Sequence, residues 1–178
     1  TSATFYYTPI ENNIYIYPNS DANGDGNIDV VTTRKGFGTT VDLDTLDYGT
    51  KEFYKFGGFY TDIDLTQPAS DFVMPNASVT LYVKWVPDDI NINVSMIADG
   101  NQVGTKTYTV TPVEGATVDF NRPSTADQPS AAGYLFADYY EDAEFTTQAK
   151  FPRTYSVGDP HETIYAKMVD VNGKIIFE

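Results

Sequence analysis

Four sequence blocks occur twice in this chain, in the same order and about 80 residues apart, which is the signature of repeated structural units. The segment FGGFYTDIDLT at 56–66 aligns with FADYYEDAEFT at 136–146, and TLYVKW at 80–85 aligns with TIYAKM at 163–168. Two earlier pairs complete the series: NIYIYP from Asn13 with NINVSM from Asn91, and GFGTTVDL from Gly36 with VEGATVDF from Val113. The repeat predicts two tandem modules.

We place the first module at 12–88 and the second at 89–169. Residues 1–11 are predicted to be an N-terminal strand or linker. The tail at 170–178 contains Asn172-Gly173, a pair typical of two-residue β-hairpin turns, and is predicted to be a C-terminal hairpin.

Each module is expected to be mostly β. The chain has 14 Tyr and 11 Phe, and aromatic and β-branched side chains suit a pleated, half-buried surface. In TLYVKW, alternation puts Leu81, Val83 and Trp85 on one face, with Tyr82 and Lys84 on the other. We predict mixed or antiparallel sheets with little helix.

Charge and composition exclude several classes of partner. The net charge of −14 would repel nucleic acid and anionic lipid. There is no cysteine, which removes disulfides and thiol chemistry, and no apolar run is long enough for a membrane span. We expect this chain to be part of a longer protein, with other modules of that protein as its neighbours.

The aligned blocks resemble a known family. GGFYTDIDLTQPASDF before SVTLYVKW, and GYLFADYYEDAEFTTQAKF before ETIYAKM, are similar to the Listeria–Bacteroides repeat, the B-repeat type of internalin-like surface proteins. The chain departs from that pattern where Phe59 and Tyr139 stand in place of Trp, where Met168 replaces the final Trp, and where Ala137-Asp138 stands in place of glycine. These replacements keep bulky apolar groups at the positions that would face a core.

The resemblance implies small β-grasp-like modules, of the α+β type, strung in arrays on secreted or surface proteins of bacteria. It implies a spacer or adhesive role, and it carries over no catalytic residues.

The loop DANGDGNID matches the start of a calcium-binding pattern, with oxygen-bearing side chains at alternate positions and glycine at the sixth. The predicted side-chain ligands are Asp21, Asn23, Asp25 and Asp29, and Asn27 would contribute its backbone carbonyl. The twelfth position is Thr32 instead of the usual Glu. The alternative is a polar hairpin turn, since the equivalent segment ADGNQVGTK of the second module keeps a turn without these ligands.

Catalysis is not expected. The single histidine, His161, has neither a cysteine nor a second histidine with which to build a metal centre or a nucleophile–base pair. The acidic residues concentrate in loops and turns, where solvated charge collects, although paired carboxylates are what a glycosidase would need.

Two functions remain. The first is a non-catalytic surface or secreted repeat segment that acts as a spacer or adhesion stalk, with weak recognition of a host or matrix glycan or protein. The alternative is a carbohydrate-binding module of a polysaccharide-degrading system, in which exposed aromatic rings stack on sugars. Its candidate residues are Tyr15, Tyr17, Tyr139, Tyr140 and Trp85.

Overall fold

The computed structural model describes residues 8–20 and 26–171. The chain divides into two compact units between Val86 and Pro87. The predicted fold class is confirmed, because β-strands dominate both units and each unit has its own small sheets. The N-terminal strand and C-terminal hairpin predicted at 1–11 and 170–178 lie mostly outside the described residues and stay predictions.

The described residues of the first unit, 8–20 and 26–86, form six strands and one short 3-10 helix. The strands are β1 (Glu11–Tyr17), β2 (Val31–Gly36), β3 (Thr40–Val41), β4 (Tyr54–Tyr60), β5 (Phe72–Val73) and β6 (Val79–Pro87). The 3-10 helix covers Leu43–Thr45, and the Asp42 side chain accepts a hydrogen bond from the Asp44 amide at its start. The main sheet has the order β2-β1-β6-β4, and β3 pairs with β5 in a separate two-stranded sheet.

The second unit repeats this arrangement. Its strands are β7 (Ile90–Ala98), β8 (Asn101–Val110), β9 (Val118–Phe120), β10 (Tyr134–Tyr140), β11 (Arg153–Tyr155) and β12 (Glu162–Asp170). The main sheet has the order β8-β7-β12-β10, and β9 pairs with β11. The units therefore share one strand order, as the sequence repeat predicts.

In each unit the first and last strands are parallel neighbours at the centre of the main sheet. β1 pairs with β6 over Ile14–Tyr17, and β7 pairs with β12 over Ile92–Ile97. The first two strands of each unit form an antiparallel hairpin. This order is that of a β-grasp, although the crossing between the hairpin and the later strands consists of short β pairs and irregular chain, with a 3-10 turn in the first unit.

Alternation along the central strands produces two separate cores. In the first unit Ile14, Ile16, Leu81 and Val83 point inward and are almost fully buried. In the second unit the equivalent strands bury Ile92, Val94, Met96, Ile164, Ala166 and Met168. Across 8–20 and 26–171, no helix has the length and apolar character needed to cross a membrane.

Candidate functional site

The predicted calcium loop is only partly described. Asp21, Asn23 and Asp25 lie outside the described residues, whereas Asn27 and Asp29 lie within them. The Asp29 amide donates a hydrogen bond to the Ser20 carbonyl at 3.1 Å, which brings the two ends of the loop together. Among the described His, Asp and Glu side chains, no group of three or more could hold a metal ion. The calcium site stays a prediction.

The five aromatic residues predicted to bind carbohydrate are divided between the two units. Tyr15, Tyr17 and Trp85 belong to the first unit, and Tyr139 and Tyr140 belong to the second. Two of them face a core: Tyr139 has no exposed surface, and Trp85 packs against the buried cluster of the first unit while its indole N–H donates to the Pro18 carbonyl. The fully buried Tyr139 ring offers no face to a sugar. Trp85 is only partly buried, and its role stays a prediction.

A β-bulge explains why Tyr139 points inward. The pairing of β10 with β12 shifts register between Phe136 and Asp138, so that two residues of β10 that are three apart face the same side. The Phe136 and Tyr139 rings consequently meet in the core with centroids 4.7 Å apart. Burial also raises the pKa of the Tyr139 hydroxyl, whose oxygen lies 3.4 Å from that of Tyr108. Simple alternation along the sequence does not reveal such a bulge.

Tyr15 and Tyr17, the remaining candidates of the first unit, lie together on the outer side of its main sheet. Tyr15 and Tyr17 alternate with the buried Ile14 and Ile16, and both are partly exposed. Tyr17 is the register partner of Tyr82 on β6, and the two rings stack with centroids 5.5 Å apart and planes 24° from parallel.

Lys84 and Tyr60 extend this outer surface toward β4. Lys84 follows the buried Val83, and its Nζ lies 5.5 Å from the centroid of the Tyr60 ring, within the range of a cation–π interaction. Tyr60 in turn follows the buried Phe59. We call the surface formed by Tyr15, Tyr17, Tyr60, Tyr82 and Lys84 the tyrosine face.

The equivalent surface of the second unit has a different composition. Tyr140 and Tyr165 are register partners there, and Lys167 occupies the place of Lys84. The residues aligned with Tyr15 and Tyr17, however, are Asn93 and Ser95. Tyr140 is partly exposed and lies 5.1 Å from the Phe145 ring. The two units thus differ by one pair of tyrosines on an otherwise similar face.

The second unit also holds a charged cluster that the sequence did not predict. Arg153 donates two hydrogen bonds to the two carboxylate oxygens of Glu162, both at 2.7 Å, and one to Glu141 at 2.8 Å. The Tyr155 hydroxyl donates to Glu162 as well. This cluster borders an open depression of about 310 Å³. The signal in the sequence is the replacement of Val79, which packs against the first core, by Glu162.

The protonation state of this cluster does not suit acid–base catalysis. Partial burial raises the pKa of Glu162, but hydrogen bonds from Arg153 and Tyr155 outweigh it and hold the pKa below its usual range. The Glu162 hydrogen bond raises the pKa of Arg153 further above its ordinary value, against the opposing effect of burial. A glycosidase acid needs a raised carboxyl pKa, which is the reverse of what Glu162 has.

Comparison with known proteins identifies the repeat. The sequence pattern of the Listeria-Bacteroides repeat domain matches residues 20–84 and again residues 93–167. No curated protein is similar enough in sequence to be matched to this chain. Among solved structures, domains 3-4 of the Streptococcal High Identity Repeats in Tandem (SHIRT) from a cell surface protein align with 90% of this chain and 98% of their own length. The identity is 9% and the TM-score 0.26, a value that does not establish a shared fold.

Proposed function

Because this chain consists of two tandem members of the Listeria–Bacteroides repeat family, we propose that it is a spacer or adhesion stalk segment of a bacterial surface or secreted protein. In this role it is non-catalytic, and its neighbours are other modules of the same longer chain. It holds a functional part of that protein away from the cell and transmits the tension that arises when the distal part binds.

The observation that supports a stalk is the parallel pairing of the first and last strand of each unit. The chain enters the second unit at β7 and leaves it at β12. These strands pair in parallel, from Ile92 opposite Glu162 to Ile97 opposite Lys167. The first unit has the same arrangement between β1 and β6. Tension along the chain therefore acts on two adjacent strands in opposite directions along their length.

This geometry resists pulling for a simple physical reason. When parallel strands slide past each other, all the hydrogen bonds between them bear the force together, whereas strands peeled from one end break their bonds one after another. The force at which a domain gives way is governed by the unfolding barrier and not by equilibrium stability alone. A domain loaded in sliding geometry should therefore withstand a larger force than an equally stable domain that is peeled.

The two units should differ in strength, and this difference makes the proposal testable. The central pairing covers Ile14–Tyr17 in the first unit and the longer stretch Ile92–Ile97 in the second. Pulling the chain by its two ends in optical tweezers should give two separate unfolding events, with the second unit giving way at the higher force. Arg153→Met identifies the event of the second unit, because only that event should shift. If both units unfold at forces that cannot be distinguished from those that extend a disordered chain, the stalk proposal fails.

The absence of catalytic function in this proposal rests on the charge arrangement of the described residues. Glu141 and Glu162 are held by the same arginine, and the Nδ1 atom of His161 accepts a hydrogen bond from the Asn91 amide at 2.9 Å. These contacts engage two carboxylates and one ring nitrogen of the single histidine, which supports the non-catalytic role.

We propose carbohydrate binding as a second function, confined to the first unit. The observation that favours it is the tyrosine face, where Tyr15 and Tyr17 lie on the outer side of the sheet beside Tyr82. Tyrosine rings offer an apolar surface to the C–H groups of a pyranose and a hydroxyl to its polar edge. Retention of the chain on insoluble polysaccharide, with loss of retention in Tyr17→Ala, is the direct test.

A further inference from the structure

A histidine side chain extends the central strand pair of the second unit at one end. The pairing of β7 with β12 begins where Ile92 lies opposite Glu162. One residue earlier in each segment, the Asn91 amide donates a hydrogen bond to the Nδ1 atom of His161 at 2.9 Å. This bond joins β7 to the residue that precedes β12, at the end of β7 where the chain enters the unit.

The bond between Asn91 and His161 depends on the charge of the imidazole ring. A ring nitrogen that accepts a hydrogen bond uses its lone pair, and in the neutral ring the proton is then on the other nitrogen, Nε2. Protonation places an N–H group on Nδ1, so that two donors face each other and the bond is lost. His161 is exposed, so a change in the pH of the solvent reaches the ring directly.

The other charged groups beside this bond are carboxyls and one arginine. The carboxyls belong to the segments that lead into β7 and β12, and the arginine lies on β11: Asp88, Asp89, Asp159, Glu162 and Arg153. On β8, the register partner of Asn91 is the uncharged Thr109. Carboxyls ordinarily titrate near about pH 4, arginine above about pH 12 and imidazole near about pH 6.5. Mild acidification therefore acts on the histidine, of which the chain has one.

The first unit has the same strand pair with serine in place of the histidine. Its central pairing begins where Ile14 lies opposite Val79, and the residues one position earlier are Asn13 and Ser78. Serine does not titrate near neutral pH. The first unit is thus an internal control for any effect of pH on the second.

From this arrangement we infer that protonation of His161 weakens the second unit against tension, so that the stalk withstands less force in a mildly acidic medium. The inference rests on the proposed stalk function and adds a pH control to the strand pair that bears the load. Asn91 is the second residue of β7, so tension that enters from the N-terminal side reaches this bond before the paired stretch from Ile92 onward. Bonds that bear a force together share it, and the loss of one lowers the barrier to sliding.

The test is to pull the full chain by its two ends at two pH values. An ordinary imidazole is mostly neutral at about pH 7.5 and mostly protonated at about pH 5.5, whereas ordinary carboxylates stay ionised at both. Under the same load, we expect the second unit to unfold about fivefold faster at the lower pH, which corresponds to the net contribution of one hydrogen bond. The first unit should unfold at the same rate at both pH values.

His161→Asn is the matched variant. The Oδ1 atom of asparagine stands in the same place along the side chain as Nδ1 of histidine, and it accepts a hydrogen bond without titrating. The second unit of this variant should unfold at one rate at both pH values. His161→Ser installs the residue of the first unit and should unfold at the faster rate at both. Thermal unfolding checks that each variant is folded.

The outcomes separate this inference from the stalk function. A second unit that withstands the same high force at both pH values would overturn the pH control and leave the stalk in place. An equal loss of strength in the wild type and in His161→Asn would overturn the role of His161. If both units unfold at either pH at forces that only extend a disordered chain, the stalk function fails and this inference fails with it.

Discussion

At the scale of single residues, the two units fill the position at the start of their last strand with side chains of different chemistry. Val79 packs against the first core at the start of β6, whereas the aligned Glu162 starts β12. A carboxylate that is three-quarters buried needs a partner, and Arg153 provides it in a two-fold hydrogen-bonded ion pair whose side chains are 19% and 25% exposed. Such a pair is a replacement for apolar contact and is not by itself a source of extra stability.

The first prediction follows from this replacement. Arg153→Met should destabilise the second unit by about 1–3 kcal/mol, because Glu162 keeps the cost of partial burial without its partner. The double change Arg153→Met with Glu162→Val should recover most of that loss, since it gives the second unit the apolar residue that the first unit has at this position. Urea unfolding of the wild type, the two single variants and the double variant gives the coupling. A double variant as unstable as the sum of the single ones would contradict the prediction.

The sequence could predict the faces of the regular strands but not the irregular positions. Ile14, Ile16, Leu81 and Val83 face inward as their alternation indicates. Tyr139 is buried whereas the adjacent Tyr140 is partly exposed, because the bulge after Phe136 shifts which residues of β10 face the core. The partner of Glu162 comes from a strand nine residues earlier in the chain. Its identity depends on tertiary structure and has no local sequence signal.

At the scale of structural elements, the loop after the aromatic strand is built identically in both units. The Asp142 carboxylate accepts hydrogen bonds from the Thr146 and Thr147 amides and from the Thr146 hydroxyl. Asp62 makes the same contacts with Thr66 and Gln67. The residue before each threonine, Leu65 or Phe145, has φ of 55° or 60°. These contacts give a physical reason for the repeated Asp and apolar-Thr positions that align the two blocks.

The second prediction concerns this loop and its response to pH. The hydrogen bond from the Thr146 amide holds the pKa of Asp142 below its usual range, with further help from the Thr147 amide. A carboxyl with a lowered folded-state pKa contributes stability that is present above its unfolded pKa and is lost as the pH falls through the folded pKa. Asp142→Asn should therefore lower the melting temperature of the second unit at pH 7 and flatten its decline below about pH 4.

The control for the loop lies two residues away. Glu144 is exposed, and Glu144→Gln should leave both the melting temperature and its pH dependence unchanged. If Asp142→Asn and the wild type have the same melting temperature at pH 7 and at every lower pH, the loop contacts contribute nothing to stability.

The third prediction concerns the loop from Asp21 to Asp29, three of whose five predicted ligands lie outside the described residues. If this loop binds calcium, the metal stabilises the folded state by mass action, by about 1.4 kcal/mol at ten times the dissociation constant. We expect millimolar calcium to raise the melting temperature of the first unit and Asp25→Ala to abolish the rise. Asp99→Asn, in the equivalent turn of the second unit, should preserve it. A melting temperature unaffected by calcium would leave only a hairpin turn.

At the scale of the whole molecule, the internal repeat carried most of the fold prediction. Self-alignment predicts two units, a hairpin at the start of each and a last strand with alternating faces, and these features are present. It cannot predict that the last strand pairs in parallel with the first, because strand pairing is a long-range property. That pairing is nevertheless the feature on which the stalk proposal depends.

The central claim is that the parallel first and last strands make each unit resistant to tension along the chain. Because the chain contains no cysteine, introduced pairs give unique attachment points for single-molecule pulling. Asp88→Cys with Val171→Cys loads β7 and β12 in opposite directions along their length. Asp88→Cys with Thr111→Cys pulls at the open end of the hairpin, where Ile90 pairs with Val110.

Both double variants act on the second unit and share one attachment point. Thr111→Cys also removes the hydrogen bond from the Thr111 hydroxyl to Asp89 Oδ1, so thermal unfolding must first show that the two variants are equally stable. The measurement is the distribution of unfolding forces at one pulling speed. The stalk account predicts a clearly higher force through Asp88 and Val171 than through Asp88 and Thr111. Equal forces, or a lower force along β7 and β12, would contradict it.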